Sequence, residues 1–157
     1  MSGVLKIHSN ASEGGLFGHS WIEFCPIDGQ PVTYGTWGNH PNNGANGLRE
    51  NLELNRHGEC CRVAFISTAQ EASFFAVIAA YRAAGATAWS LGTPCSAFAS
   101  EAWEAATGEQ LEHRNALLST PARLARSIAE ANLDLGKMQD THHDVPPALK
   151  GLKPKSD

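Results

Sequence analysis

The chain has 157 residues, 42% of them hydrophobic, which is enough for one domain to bury a core without disulfide or metal staples. A formal charge of −4 and a pI near 5.9, with the 12 Lys and Arg scattered rather than clustered, leave no electrostatic footprint for nucleic acid. No apolar run approaches the roughly 20 residues of a membrane span. The start, Met1-Ser2-Gly3-Val4-Leu5-Lys6, lacks the charged and apolar regions of a secretory signal, so the expectation is a chain made in the cytoplasm, without a membrane partner.

Val4 to His8 alternates apolar and polar residues and predicts a strand, followed by a loop from Ser9 to Gly18. His19-Ser20-Trp21-Ile22-Glu23-Phe24-Cys25 alternates again. Pro26-Ile27-Asp28-Gly29-Gln30 carries a turn signal, and Pro31-Val32-Thr33-Tyr34-Gly35-Thr36-Trp37 returns as the second arm of a hairpin. From Gly38 to Asn55 the composition shifts to Asn, Gly and Pro, which predicts an irregular loop bordering a cleft.

Cys60 to Ile66 is a further strand. Thr68 and Glu71 form a capping box for a helix with Phe74, Phe75, Val77, Ile78 and Tyr81 on its apolar face and a stop at Gly85. Thr87 to Leu91 reads as a short strand. A helix from Pro94 to Ala106 ends at Gly108, with Phe98, Ala102 and Ala106 on one stripe with Cys95, which leaves its N-terminus as an exposed working end. Ser119-Thr120-Pro121 caps a last helix reaching about Leu133. Residues 136–157, rich in Pro, Lys, Asp and His, read as a flexible tail, so the predicted organisation is one domain over 1–135 and a tail over 136–157.

Four cysteines are present, and the adjacency of Cys60 and Cys61 argues against both a disulfide framework and a tetrahedral metal site. No metal or other cofactor is expected. Cys25, Cys60 and Cys61 fit the common role of small apolar residues in strands. Cys95 stands apart. Thr93 is a good N-cap and Pro94 a good first helical residue, so Cys95 falls in the first turn, where unpaired backbone N–H groups and the helix dipole favour an anion. A thiol so placed becomes a nucleophilic thiolate more readily, and more so beside an imidazolium.

Among seven histidines, His19 opens the first hairpin strand directly after Gly18 and is the candidate base. His8 lies in a charged alternating segment, His40 and His57 in loops, and His113 after the cysteine helix. A third group should orient the imidazole. Pairing about a turn near Asp28-Gly29 brings His19 opposite the end of the second strand, where Asn39 ranks first, with His40 and Thr36 as alternatives. The Cys95 backbone N–H would hold an oxyanion, with Tyr34 as a second donor.

Gly18-His19-Ser20-Trp21-Ile22-Glu23-Phe24, then Thr33-Tyr34-Gly35-Thr36-Trp37-Gly38, then Pro94-Cys95-Ser96-Ala97-Phe98-Ala99 at a helix start, resemble the circularly permuted papain-like peptidases and amidases of the NlpC class. In ordinary members the cysteine helix precedes the histidine strand, and here the order is reversed. The resemblance covers about residues 15 to 108. It implies an α+β papain-like fold, with a small antiparallel sheet packed against the cysteine helix, and cleavage of an amide bond in peptidoglycan peptides. Its nearest likeness is to type VI secretion effectors, antibacterial toxins that act in the periplasm of a target bacterium, and that likeness implies the secretion apparatus and an immunity protein as partners. The permuted branch also includes lecithin:retinol acyltransferase-like enzymes, which act on lipids. A non-catalytic module that binds the cell wall or a protein is the remaining alternative.

Overall fold

A computed structural model describes residues 1–12, 18–38 and 46–141. Five strands, β1 (Gly3–Asn10), β2 (His19–Pro26), β3 (Val32–Trp37), β4 (Gly47–Glu50) and β5 (Cys60–Ile66), form one antiparallel sheet in the order β4-β3-β2-β1-β5. Three helices, α1 (Thr68–Ala84), α2 (Cys95–Thr107) and α3 (Pro121–Thr141), and a two-residue-per-arm hairpin, β6 (Arg114–Asn115) with β7 (Leu118–Ser119), complete an α+β architecture.

Period-2 alternation decides which face each strand offers the helices. Leu5 and Ile7 of β1, Ile22 and Phe24 of β2, and Tyr34 of β3 point into the core, where they meet Phe74 and Ile78 of α1, Phe98, Ala102 and Trp103 of α2, and Leu124 and Ile128 of α3. Burying each of these larger side chains contributes about 1.5–3 kcal/mol before entropy is counted. The other face carries Lys6, His8, His19, Trp21, Glu23, Thr33, Gly35 and Trp37. The β1–β2 register sets Lys6 against Glu23 and His8 against Trp21. Glu23 accepts from Lys6 Nζ at 2.7 Å and pairs with His8 Nε2 at 3.0 Å, so charge on this face is neutralised laterally.

The hairpin, β5 and all three helices lie where the sequence signals put them. Four local expectations are corrected. β4 and the turn that follows occupy part of the stretch expected to be irregular. Helix α1 is capped by Ser67 and Gln70 rather than Thr68 and Glu71, one residue earlier. Residues 85–88 form a 3-10 turn and Ser90 to Thr93 a hydrogen-bonded turn, in place of the strand expected over Thr87 to Leu91. Helix α3 runs on to Thr141, past the end expected near Leu133, and residues 142–157 of the expected tail lie outside the described residues. Among the described residues no helix is long and apolar enough to cross a membrane.

Candidate active site

Cys95 is the first residue of α2. Pro94, in extended conformation, is the N-cap, and the Thr93 side chain bonds to Ser90 at 2.8 Å instead of capping the helix, which places Cys95 one position nearer the helix start than the Thr93-Pro94 pair suggests. The helical ladder begins when Ala97 and Phe98 N–H donate to the Pro94 carbonyl, so the N–H groups of Cys95 and Ser96 lie ahead of it and have no acceptor four residues back. This helix start is enclosed: Cys95 is 6% exposed and His19 only 4%, not the open working end expected.

His19 is the first residue of β2. Its Nε2 lies 2.8 Å from Glu53 Oε1. Cys95 is the second side chain that acts on this ring. Burial disfavours a charged imidazole here, but the hydrogen bonds to Cys95 and Glu53, and the charge of both, outweigh it and push the His19 pKa up to about 9. The ring also meets two indoles, Trp37 at 4.1 Å, tilted by 36°, and Trp21 at 5.7 Å between centroids, stacked within 17°. Aromatic neighbours restrict its plane and favour the imidazolium.

Glu53 completes the line. Its side chain is fully buried, and its carboxylate accepts from His19 Nε2 and Trp37 Nε1 (2.9 Å) on Oε1 and from Thr33 Oγ1 (3.0 Å) on Oε2. The turn that carries it is pinned to β3: Asn51 N–H donates to the Thr33 carbonyl, Thr33 N–H to Asn51 Oδ1, and Glu53 N–H to Thr33 Oγ1. Asn51 and Asn55 adopt left-handed backbone conformations on either side of it, at φ 62° and 72°. Gly35 leaves the room, since a Cβ there would collide with Glu53 Oε1 and crowd His19 Nε2.

Cys95 and His19 are therefore brought together, and Glu53 is the acid that holds the His19 ring. Asn39 and His40, expected as orienters, lie outside the described residues. Thr36 points to the opposite face of β3 from Glu53, on the same side as Tyr34. Tyr34, expected as an oxyanion donor, packs its ring on Phe74 and Phe75, and its hydroxyl is raised in pKa first by burial and then by Glu50, with Arg82 opposing; it sits with the α1 layer and not with Cys95.

Glu53 was the residue missed. Its signal in the sequence is faint: a single acid between Leu52 and Leu54, in a stretch without periodicity. The polarity of that tripeptide is inverted, with the carboxylate fully buried and the leucines 37% and 40% exposed. No known protein family, curated protein or solved structure matches the chain.

Proposed function

We propose that the chain is a cysteine hydrolase that cleaves an amide bond, with peptidoglycan peptides as its substrate class. The observation that carries the reading is the enclosed set of Cys95 at a helix start, His19 raised to about 9 beside two indoles, and Glu53 on His19 Nε2. The Cys95 sulfur attacks the carbonyl carbon to form a tetrahedral oxyanion. The His19 imidazolium gives its proton to the leaving amine as the C–N bond breaks, which leaves a thioester. Neutral His19 then takes a proton from water, hydroxide adds to the thioester, and the acid departs with restoration of the thiolate and the imidazolium. Glu53 keeps the ring oriented and its charge neutralised throughout.

The substrate class rests on the resemblance of the His19 and Cys95 segments to permuted NlpC-class enzymes. His19 on a strand ahead of Cys95 on a helix, in one α+β domain, supports that permuted papain-like arrangement. An antibacterial effector that acts in a target periplasm, with an immunity protein as partner, is the setting this class supplies. The test is to incubate the protein with peptidoglycan sacculi and profile released fragments by mass spectrometry. Cys95→Ala and His19→Ala should each lose at least about 10²-fold in release, and undiminished release by Cys95→Ala ends the proposal.

A second reading, acyl transfer or hydrolysis on a lipid, draws on the leucines next to the site. Leu52 and Leu54 flank Glu53, and Leu117 (92% exposed) and Leu118 (53%) precede Ser119, whose hydroxyl bonds to Ser96 beside the nucleophile. Acyl release from phospholipid vesicles, with sacculi left intact, would promote it.

A further inference from the structure

The turn that brings Glu53 to His19 also brings a cation. Arg56 N–H donates to the Glu53 carbonyl at 2.9 Å, with Asn55 in the left-handed conformation just before it. The Glu53 carboxylate goes inward, to His19, Trp37 and Thr33, whereas the Arg56 side chain is exposed. Its guanidinium lies over the Trp37 ring, with Cζ 5.7 Å from the centroid. That half-buried indole in turn meets the His19 ring at 4.1 Å and donates to Glu53.

Arg56 has no acid to pair with among the described residues. Lys6 pairs with Glu23, Arg62 with Glu109, Arg82 with Glu50 and Arg123 with Glu112. The acids nearest to Arg56 in the chain are committed elsewhere: Glu50 to Arg82, Glu53 to its three donors, and Glu59 to the Ala11 N–H and the Ser12 hydroxyl. A guanidinium that offers its face to an indole keeps its N–H donors at the edge, in a fork that matches a carboxylate. The printed contacts also bound its reach. A cation 5.7 Å from Trp37, itself 4.1 Å from His19, lies within about three residues of extended peptide from the imidazole, at roughly 3.5 Å per residue.

We propose that Arg56 is a specificity-determining residue that binds a free carboxylate of the substrate within about three residues of the scissile amide, so that acidic peptides are taken in preference to their carboxamides; this rests on the amide cleavage proposed above. The pair forms in the ground state and persists in the transition state, so it acts on KM and leaves kcat alone.

The experiment uses muropeptides released from sacculi, one portion kept acidic and one converted to carboxamides with ammonia and a carbodiimide. Binding is read by calorimetry on the full chain carrying Cys95→Ala. The acidic form should bind about 10-fold more tightly than the carboxamide form. Adding Arg56→Gln should abolish that preference by weakening the acidic form alone, and Arg56→Lys should restore part of it. With Cys95 intact, Arg56→Gln should raise KM for the acidic form about 10-fold at constant kcat and leave the carboxamide form unchanged. Equal binding of the two forms, or binding of neither, overturns the proposal. So does an equal loss on both forms in Arg56→Gln, and a His19 titration that moves with it shows the cation acting on the ring through Trp37 instead. Arg56-dependent binding of the acidic form without cleavage by the parent overturns the amide-hydrolase reading and leaves the carboxylate site standing. Cleavage of both forms at equal rates by the parent and by Arg56→Gln does the reverse.

Discussion

His19 Nε2 and Glu53 Oε1 lie 2.8 Å apart across 34 positions of chain, and this contact turns a thiol–imidazole pair into a line of three. Taking a carboxylate wholly out of water is expensive unless its lone pairs are occupied. Here His19, Trp37 and Thr33 occupy them, and the Asn51 turn fixes the backbone that presents them. The carboxylate is thereby committed to one orientation, and the His19 ring with it.

Substitution of Glu53 should separate charge from shape. Glu53→Gln keeps the volume and removes the charge that supports the imidazolium, so the His19 pKa should fall from about 9 toward 6.5, read by nitrogen-15 NMR titration of labelled histidine. Amide cleavage should drop by at least about 10²-fold, the scale on which orienting carboxylates act. Glu53→Ala takes the carboxylate from the buried donors of His19 and Thr33 and from half-buried Trp37, and should cost about 3–5 kcal/mol in urea unfolding. An unshifted His19 titration in Glu53→Gln would remove Glu53 from the electrostatics of the site.

Gly35→Ala tests the same contact from the opposite side. The added methyl occupies the space of Glu53 Oε1 and presses on His19 Nε2, so the carboxylate must leave its place. Loss of activity should match that of Glu53→Gln, and the double variant Gly35→Ala/Glu53→Gln should be no worse than the worse single one. Additive losses would mean that Gly35 matters for some other reason.

The difference between what the sequence revealed and what it hid is physical. Cys95 and His19 stand on local signals, a Pro-started helix and an alternating strand after Gly18, and local signals survive in the unfolded alphabet of the chain. Glu53 has no such signal. It acquires its role only when Asn51 and Asn55 turn the chain back onto Thr33 and an acid enters while its leucine neighbours stay outside, a reversal of the usual polarity that tertiary hydrogen bonds impose. The same limit explains β4. Gly47-Leu48-Arg49-Glu50 is too short to show periodicity and becomes a strand because β3 offers it an edge. Thr36 was singled out for its place near the end of the hairpin, but only the pleat reveals which face it serves.

Stability should report the His19 charge as a function of pH. The folded pKa is raised from 6.5 to about 9, so the folded state holds the proton more tightly. The resulting stabilisation is fully present below the unfolded value near 6.5 and is lost as pH rises through about 9. Urea midpoints should therefore decline between those limits, and His19→Gln should lack the decline attributable to this group. A midpoint that rises with pH over the same window, and rises less in His19→Gln, would reverse the sign and refute the charged ring.

The hairpin beside the nucleophile gives a last prediction. Ser119 is buried, and its hydroxyl joins Ser96 of α2 at 2.7 Å to His113 Nδ1 at 2.8 Å. Burial holds His113 below the ordinary imidazole range, with the Arg114 charge acting the same way against the pull of Glu101 and Glu104. Ser119 is thus the middle member of a hydrogen-bonded chain from Ser96 to His113. Ser119→Ala breaks it in the middle and strands both ends, at a cost of about 1–3 kcal/mol. Once Ser119→Ala has removed its acceptor, Ser96→Ala should add little, and a double-mutant cycle should give a coupling of about 1 kcal/mol. Acylation of Cys95 should slow in Ser119→Ala because the first turn of α2 loses the anchor next to the nucleophile. A coupling near zero would mean that the hairpin and the helix start are held independently.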